Sequence, residues 1–379
     1  MDIRIPKKLN AEEADVLIVD TEGSDCIKHC VPITASVATL PLRRVIPWLM
    51  KTEFFIRVFA RLAQKQKLGH SIICAIIDVV KPKVLITYID NSSLMGELQD
   101  IFPEKLIISV QNGLRCEISG WDVNDTLPVL YGFGDYEKHF LKKRGVKVLE
   151  YIPLGSLRYG IFRYNNPKPE KKHDICYISV FVELSDCPPK SLKPLQMLQK
   201  YEKQLFLNLL RVCEDNGYTL SVALRSEEGD KYYYNERNYF KSLDTNNIAT
   251  LVDNSQKDLG SYKTVASATI IVALFTTLSV EFFGSGEKVL WSLPSDLIAE
   301  LGIAMNFEKM PEEVFLDSLE PHSIKKKYIA LLKMDQKNYL EITENSRNYY
   351  MKCQKPYPQE VIKKRIADFI ETSEREHFS

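Results

Sequence analysis

Residues 261–291 read SYKTVASATIIVALFTTLSVEFFGSGEKVLW, and the fold is read outward from this run. An apolar strand, Thr269 to Leu274, stops at Thr276-Thr277. A helix then starts, carries Glu281 one turn in, and stops at Gly284-Ser285-Gly286. A second apolar strand follows at Lys288 to Trp291. This strand, turn, helix, strand unit of about 25 residues is close to the size of a βαβ crossover. Thr276 and Thr277 stand where a helix takes its N-cap hydroxyl. The free N–H groups and the positive end of the helix dipole at such a turn suit a phosphate. Glu281, a turn further on, is placed for a hydroxyl-rich ligand, and a nucleotide sugar offers both groups. Any α/β protein has such units, and Thr also caps helices for structural reasons alone, so the rest of the chain has to decide.

The neighbouring sequence repeats the pattern. Asp174 to Ser179 is a strand, Gln196 to Asn216 a long amphipathic helix ended by Gly217, and Tyr218 to Leu224 a strand that stops at Arg225-Ser226-Glu227-Glu228. A Tyr-rich helix and a strand near Ile248 to Val252 complete this series. An earlier series has strands at Asp15 to Asp20, Lys83 to Tyr88, Leu106 to Val110 and Pro128 to Phe133. Helical periodicity covers 51–67, Ser71 to Val80, the stretch through Leu98, and Asp135 to about Lys143. Strands alternating with helices argue parallel sheets. The polar clusters Asp90-Asn91-Ser92, Gln111-Asn112-Gly113 and Gly134-Asp135 follow strand ends, where ligands bind in open α/β sheets. Residues 161–172, IFRYNNPKPEKK, break the pattern and fit an interdomain linker. After Ile303 the chain turns helical and charged.

The expected fold class is α/β, with two Rossmann-like domains whose parallel sheets face a cleft, and a helical C-terminal tail. Residues 1–160 form the first, acceptor domain, 173–305 the second, nucleotide-sugar domain, and 306–379 a tail returning toward the first. This is the GT-B architecture, and the returning tail rests on analogy with it.

Composition narrows the classes. With 379 residues, 45% of them hydrophobic, the chain has material for two cores. The 50 basic and 50 acidic residues leave no net charge, so bulk electrostatics argue for neither nucleic acid nor anionic membrane. Residues 1–20 contain no apolar signal-peptide region, and no stretch reaches the roughly 18 apolar residues of a membrane-spanning helix. The cytoplasm, at most the inner face of the membrane, is the expected location. Eight cysteines include no C-x-x-C, and Cys26, His29 and Cys30 find no second ligand pair of zinc spacing. No D-x-D occurs, so neither a metal nor another cofactor is expected.

Several strings occur in order: KPKVLITYIDNSSL (81–94), IISVQNGLR (107–115), YGFGDYEKHFLKKRGVKV (131–148), IPLGSLRYG (152–160), HDICYIS (173–179) and TTLSVEFFGSGEKV (276–289). Together they resemble the bacterial surface carbohydrate biosynthesis proteins, over roughly residues 81–292. The last string is similar to that family's S-T-L-x-x-E-x-x-x-x-G-K-K-V pattern, with Thr276 for the serine and Glu287 for the first lysine. The resemblance implies a GT-B-like glycosyltransferase of capsule, O-antigen or related glycan synthesis. It also implies a UDP- or CMP-linked donor, and a glycan or lipid-linked acceptor reached with or without peripheral membrane association. The same block is similar to the donor turn of UDP-sugar epimerases. An epimerase-like enzyme and a non-catalytic nucleotide-sugar-binding protein are therefore the alternatives.

Each site residue carries two readings. Asp90 is a general base for an acceptor hydroxyl, having no basic residue next to it, or with Asn91 a helix N-cap. Gln111, Asn112 and Gly113 form an acceptor-binding turn with positive φ at Gly113, or a plain turn. Arg115 binds an acceptor or phosphate bidentately, or makes a surface ion pair. In Gly155, Ser156 and Arg158, Gly155 permits close backbone approach and Arg158 meets the diphosphate, or the string only shapes the linker. Ser179 contacts phosphate or ribose, and Arg225 and Glu227 contact base or ribose, or these are loop residues. Thr276, Thr277 and Glu281 hold the donor. Tyr232, Tyr233, Tyr234 and Tyr239 stack on a base or sugar, or pack inward.

Overall fold

The computed structural model describes residues 13–40, 52–63, 68–115, 126–167, 169–254, 259–303, 307–316 and 318–378. Apolar runs bounded by polar turns give two sheets. The first contains β1 (Val16–Val19), β2 (Val37–Leu40), β3 (Val84–Thr87), β4 (Leu106–Val110), β5 (Thr126–Gly132) and β6 (Lys147–Pro153), in the order β2-β1-β3-β4-β5-β6. The second contains β7 (His173–Ile178), β8 (Leu220–Ala223), β9 (Ala249–Val252), β10 (Ala268–Ala273) and β11 (Val289–Trp291), in the order β11-β10-β7-β8-β9. Every pairing is parallel. The central strands β1, β3, β4 and β8 are buried at every position. That is why they read as unbroken apolar runs rather than as alternating ones. The order reverses between β1 and β3 in one sheet and between β7 and β10 in the other. These reversals open crevices at the carboxyl ends of the strands.

Two strands were not expected. β2 and β6 are edge strands, and both are partly exposed along their length. β6 carries Glu150 in mid-strand and ends on Pro153, which an edge tolerates because one side of the ladder is unpaired. The linker is also shorter than expected. Residues 161–165 belong to the helix Leu157–Asn165, whose N-cap Ser156 accepts from the Tyr159 amide at 3.2 Å. Phe162 of this helix packs 5.5 Å from Tyr262 and 6.1 Å from Phe282, rings of the second domain. Residue 160, the expected end of the first domain, falls inside this helix.

The tail is helical. The helix Gln336–Tyr350 packs against both Asp135–Lys143 and Thr277–Gly284. Its continuation then threads between glycines. A Cβ on Gly134 would lie 2.3 Å from the Tyr349 carbonyl oxygen, one on Gly155 2.0 Å from that of Lys352, and one on Gly284 2.5 Å from the Met351 side chain. The Lys352 amide donates to the Phe133 carbonyl at 2.9 Å. The final helix, Pro358–Phe378, sets Ile362 and Ile366 into the core of the first domain. Arg365 grips Glu150 with two bonds of 2.5 and 2.6 Å, and Lys83 bonds Glu374 at 2.7 Å.

Candidate active site

The carboxyl ends of β3, β4, β6 and β10 converge. Thr276, in extended conformation, caps the helix Thr277–Gly284 by accepting from the Ser279 amide at 3.0 Å. Ser279 is fixed in turn by Trp291, whose indole N–H donates to it at 3.0 Å. Thr276 thus supplies the N-cap hydroxyl of this helix. Thr277 is free of that duty, and its hydroxyl oxygen accepts from the Leu114 amide at 3.1 Å. The Gln111–Arg115 turn of the first domain thus rests on the N-terminus of a second-domain helix. The first amides of that helix have no intrahelical acceptor.

One turn further on, Glu281 is 2% exposed. Its Oε1 accepts from the Ser156 hydroxyl, while Oε2 is buried without a partner. Burial pushes its pKa up to about 7, against the pull of Ser156, Tyr262 and Arg158. Arg158 lies 6.0 Å from the Tyr88 ring centre, and its Nε is likewise buried without a partner. An orphaned acceptor and an orphaned donor thus share the domain junction, and such atoms call for a ligand or water.

The first-domain side is heavily braced. Asp90 is 1% exposed. Arg115 donates to it through Nε at 3.2 Å and also through Nη2, and the Asn112 amide donates at 3.4 Å. Arg115 also donates to the Asn112 side chain at 2.9 Å. No basic residue adjoins Asp90 in the sequence, and its basic partner comes from 25 residues further along the chain, in a buried pair. With both oxygens engaged, Asp90 sets the turn instead of facing solvent. Burial raises its pKa and Arg115 opposes the rise. Gln111 donates to the Gly113 carbonyl and to Glu137, each at 2.9 Å, and accepts from the Phe133 amide at 2.8 Å. Burial pushes Glu137 up to about 8, opposed by Gln111. Gly113 does not adopt positive φ, contrary to expectation. Asn91 and Asp135 are exposed. Gly155, at φ 92°, does permit close backbone approach, but the atom that approaches is the chain's own Lys352 carbonyl oxygen.

Elsewhere in the second domain Ser179, Arg225 and Glu227 are hydrogen-bonded to protein. Glu236, fully buried, accepts from the Ser179 hydroxyl at 2.5 Å and from the Arg225 and Ser226 amides at 2.8 Å each. Glu202 accepts from the Val180 amide at 2.8 Å. Glu202 and Glu236 thus accept from amides just beyond the ends of β7 and β8. The Arg225 guanidinium donates to the Phe181 carbonyl at 3.4 Å, and the Glu227 amide to Asp230 at 2.9 Å. Neither Glu202 nor Glu236 was anticipated. Glu236 had a signal: Tyr233, Glu236 and Phe240 share one helix face, and all three are buried. The tyrosine cluster divides, with Tyr233 buried, Tyr234 69% exposed and Tyr239 packed 5.3 Å from Phe181.

The family's lysine pair has structural work here. Lys288 donates to the Leu331 and Met334 carbonyls at 2.6 and 2.5 Å, closing the end of a tail helix. Glu287, in place of the other lysine, pairs with Lys171 of the linker at 2.8 Å. Among the described residues no group of three His, Cys, Asp or Glu side chains is placed to hold a metal, and the seven cysteines there are free. No described helix is long and apolar enough to cross a membrane.

Two parallel sheets with their carboxyl edges meeting at a helix N-terminus define a GT-B-like protein. A family described as "putative O-antigen biosynthesis protein" matches residues 108–300, just over half of the chain, and the chain belongs to it. No curated protein matches. Among solved structures, the chain is similar to a "putative UDP-N-acetylglucosamine 2-epimerase" from Listeria monocytogenes, with 13% identity, 96% of this chain and 97% of that one covered, and a TM-score of 0.52. It is similar also to an H444N variant of the wall teichoic acid polymerase TagF, with 10% identity, 95% and 90% covered, and a TM-score of 0.52. At these identities the likeness is one of fold.

Proposed function

We propose that this chain is a glycosyltransferase moving a sugar from a UDP- or CMP-linked donor to a growing surface polysaccharide or lipid-linked glycan, without a metal ion. The carrying observation is the juxtaposition, at one helix N-terminus, of Thr277 with the Gln111–Arg115 turn, one turn away from the unpartnered oxygen of Glu281. The donor phosphates take the first amides of the helix and the proton of the Thr277 hydroxyl, whose oxygen is already held by Leu114. Glu281 accepts from ribose or sugar hydroxyls through Oε2.

In the transfer, an acceptor oxygen bonds to the anomeric carbon as the bond to the donor phosphate breaks. The negative charge left on the nucleotide falls on the helix amides and Arg158, groups already oriented before reaction. The acceptor proton goes to a carboxylate. Asp90 and Glu137 are buried and bonded, whereas Asp135 is exposed at the first turn of the helix after β5. We therefore assign the base to Asp135 and make Asp90 a positioning residue acting through Arg115. Glu117, a further carboxylate in this stretch of sequence, lies outside the described residues.

Nucleotides screened by thermal shift identify the donor, since a ligand at 100 times its Kd adds about 2.7 kcal/mol. Turnover of that donor is then followed with and without a glycan acceptor, with chelator present. Acceptor-dependent transfer is expected, with Asp135→Asn about 100-fold slower at unchanged donor affinity. Free sugar released without acceptor supports the epimerase class instead, and no turnover at all supports a binding protein. Normal transfer by Asp135→Asn removes Asp135 as base.

A further inference from the structure

Ser156 follows β6 at a point where the chain is held from two sides. The Leu154 and Gly155 amides just before it both donate to the Gly132 carbonyl, at 2.8 and 3.1 Å. The Lys352 carbonyl oxygen closes over Gly155. Ser156 itself is 3% exposed, with φ −74° and ψ 125°. Its backbone is thus fixed by the first-domain sheet and by the tail.

A hydroxyl has one proton to give. The Tyr159 amide donates to the Ser156 oxygen at 3.2 Å, so the hydroxyl proton goes to Glu281, whose Oε1 is in reach. That bond joins residues 125 apart, on different domains. It strengthens when the carboxylate is ionised. The same hydroxyl therefore caps the helix Leu157–Asn165 and holds a carboxylate in the middle of the helix Thr277–Gly284. With its proton and its amide contact both committed, it is occupied before any ligand arrives.

The other ionisable groups facing Glu281 are Arg158 on the helix that Ser156 caps, Tyr262 on the helix Gly260–Ala266, Tyr88 beyond β3 and Cys353 in the tail. Burial raises both phenols and the thiol, which stay neutral. Arg158 is the charged one of the four. Oε2 of Glu281 is left without a partner.

We propose that Ser156 is a positioning residue whose hydroxyl holds Glu281 in place as an acceptor, leaving Oε2 for a donor hydroxyl, and that it does not itself touch the donor. The donor half rests on the proposed function, whereas the pairing with Glu281 does not. The test compares wild type with Ser156→Ala, with Ser156→Gly, which a helix N-cap accepts with little loss, and with Ser156→Thr, which keeps the hydroxyl. Melting is followed from pH 6 to pH 9 without nucleotide, and UDP and CMP are titrated by calorimetry over the same range.

A Ser156 that only caps its helix lowers the melting temperature equally at every pH. The pairing behaves otherwise. The pKa of Glu281 stands at about 7, above its usual 4.5, so wild type loses stability with rising pH only up to about 7. Without the hydroxyl, the proton affinity of Glu281 rises about tenfold or more, and the loss runs on to higher pH. The gap between wild type and the Ala and Gly variants should therefore widen from pH 6 to pH 9. Thr should close it, and in a Glu281→Gln background it should not vary with pH. UDP or CMP, whichever wild type takes more tightly, should bind the Ala variant about fivefold or more weakly at pH 7 and almost equally at pH 9. A gap constant with pH, or one that still widens in the Glu281→Gln background, overturns the proposal. Equal weakening of nucleotide binding at pH 7 and pH 9 overturns it too, since Ser156 then contacts the nucleotide directly. A widening gap in a protein that takes neither UDP nor CMP sustains the pairing and removes the donor reading.

Discussion

Glu281→Gln should make the empty protein more stable and the donor bind less well. The side chain is 2% exposed, and its Oε2 has no partner. Its pKa is raised from 4.5 to about 7, with burial the largest cause. A rise of that size corresponds to about 3 kcal/mol set against the ionised form. Because the folded pKa lies above the unfolded one, the folded state holds the proton over the interval between them. Stability is therefore full below about 4.5 and lost as pH climbs through about 7. Gln keeps the shape and an oxygen for Ser156 but carries no charge, so it escapes this loss. Its new N–H₂ group lacks an acceptor in the place of Oε2, which returns about 1 kcal/mol of the gain.

The net expectation is about 2 kcal/mol at pH 8, or roughly 2 to 4 °C in a chain of this length, and almost no difference at pH 5. Thermal melts of both proteins across that pH range measure it. Titration calorimetry of the donor nucleotide at pH 8 measures the second half, where loss of the ionised acceptor should weaken binding about tenfold or more. Two results would refute the reasoning. One is a gap between variant and wild type that does not change with pH. The other is a variant less stable than wild type at pH 8.

The paired threonines separate cap from ligand. Thr276→Val removes the bond to the Ser279 amide and should cost about 1 kcal/mol of stability, with donor affinity kept. Thr277→Val frees the Leu114 amide and should weaken nucleotide binding by about 1 to 3 kcal/mol, with little change in melting temperature. Equal behaviour of the two variants in calorimetry and melting would dissolve the distinction. Gly155→Ala meets both a φ of 92° and a carbonyl oxygen 2.0 Å from the new Cβ, so a loss of several kcal/mol is expected. Limited proteolysis should then cut near Lys352, and wild-type resistance there would count against that packing.

What the sequence disclosed was local. The β10 unit could be read because an apolar run, a capping threonine and a glycine stop lie within one stretch of chain. The glycosyltransferase-like fold followed from repetition of such units. β2 and β6 escaped notice because edge strands are half wet, and their side chains carry no continuous apolar signal. The site was less legible because its pairings are distant. Asp90 meets a residue 25 positions away, Thr277 one 163 away, and Ser156 a carboxylate 125 away. At Gly155 the close approach comes from the Lys352 carbonyl, in a tail that carries little of the family pattern. Buried carboxylates such as Glu202 and Glu236 look like ordinary helix charges until the helix face is known.

The passage of residues 349–352 between Gly134, Gly155 and Gly284 has a mechanical consequence. The polypeptide passes from the first domain to the second through residues 166–172 and comes back through this strap. A body tethered at one point can swivel about three axes, whereas one tethered at two points turns only about the line joining them. The two domains are thus mounted like a door on a pair of pins. Twist and sideways slip are resisted by the covalent chain. The two crossings and the buried core that the domains share hold Thr277 against the Leu114 amide.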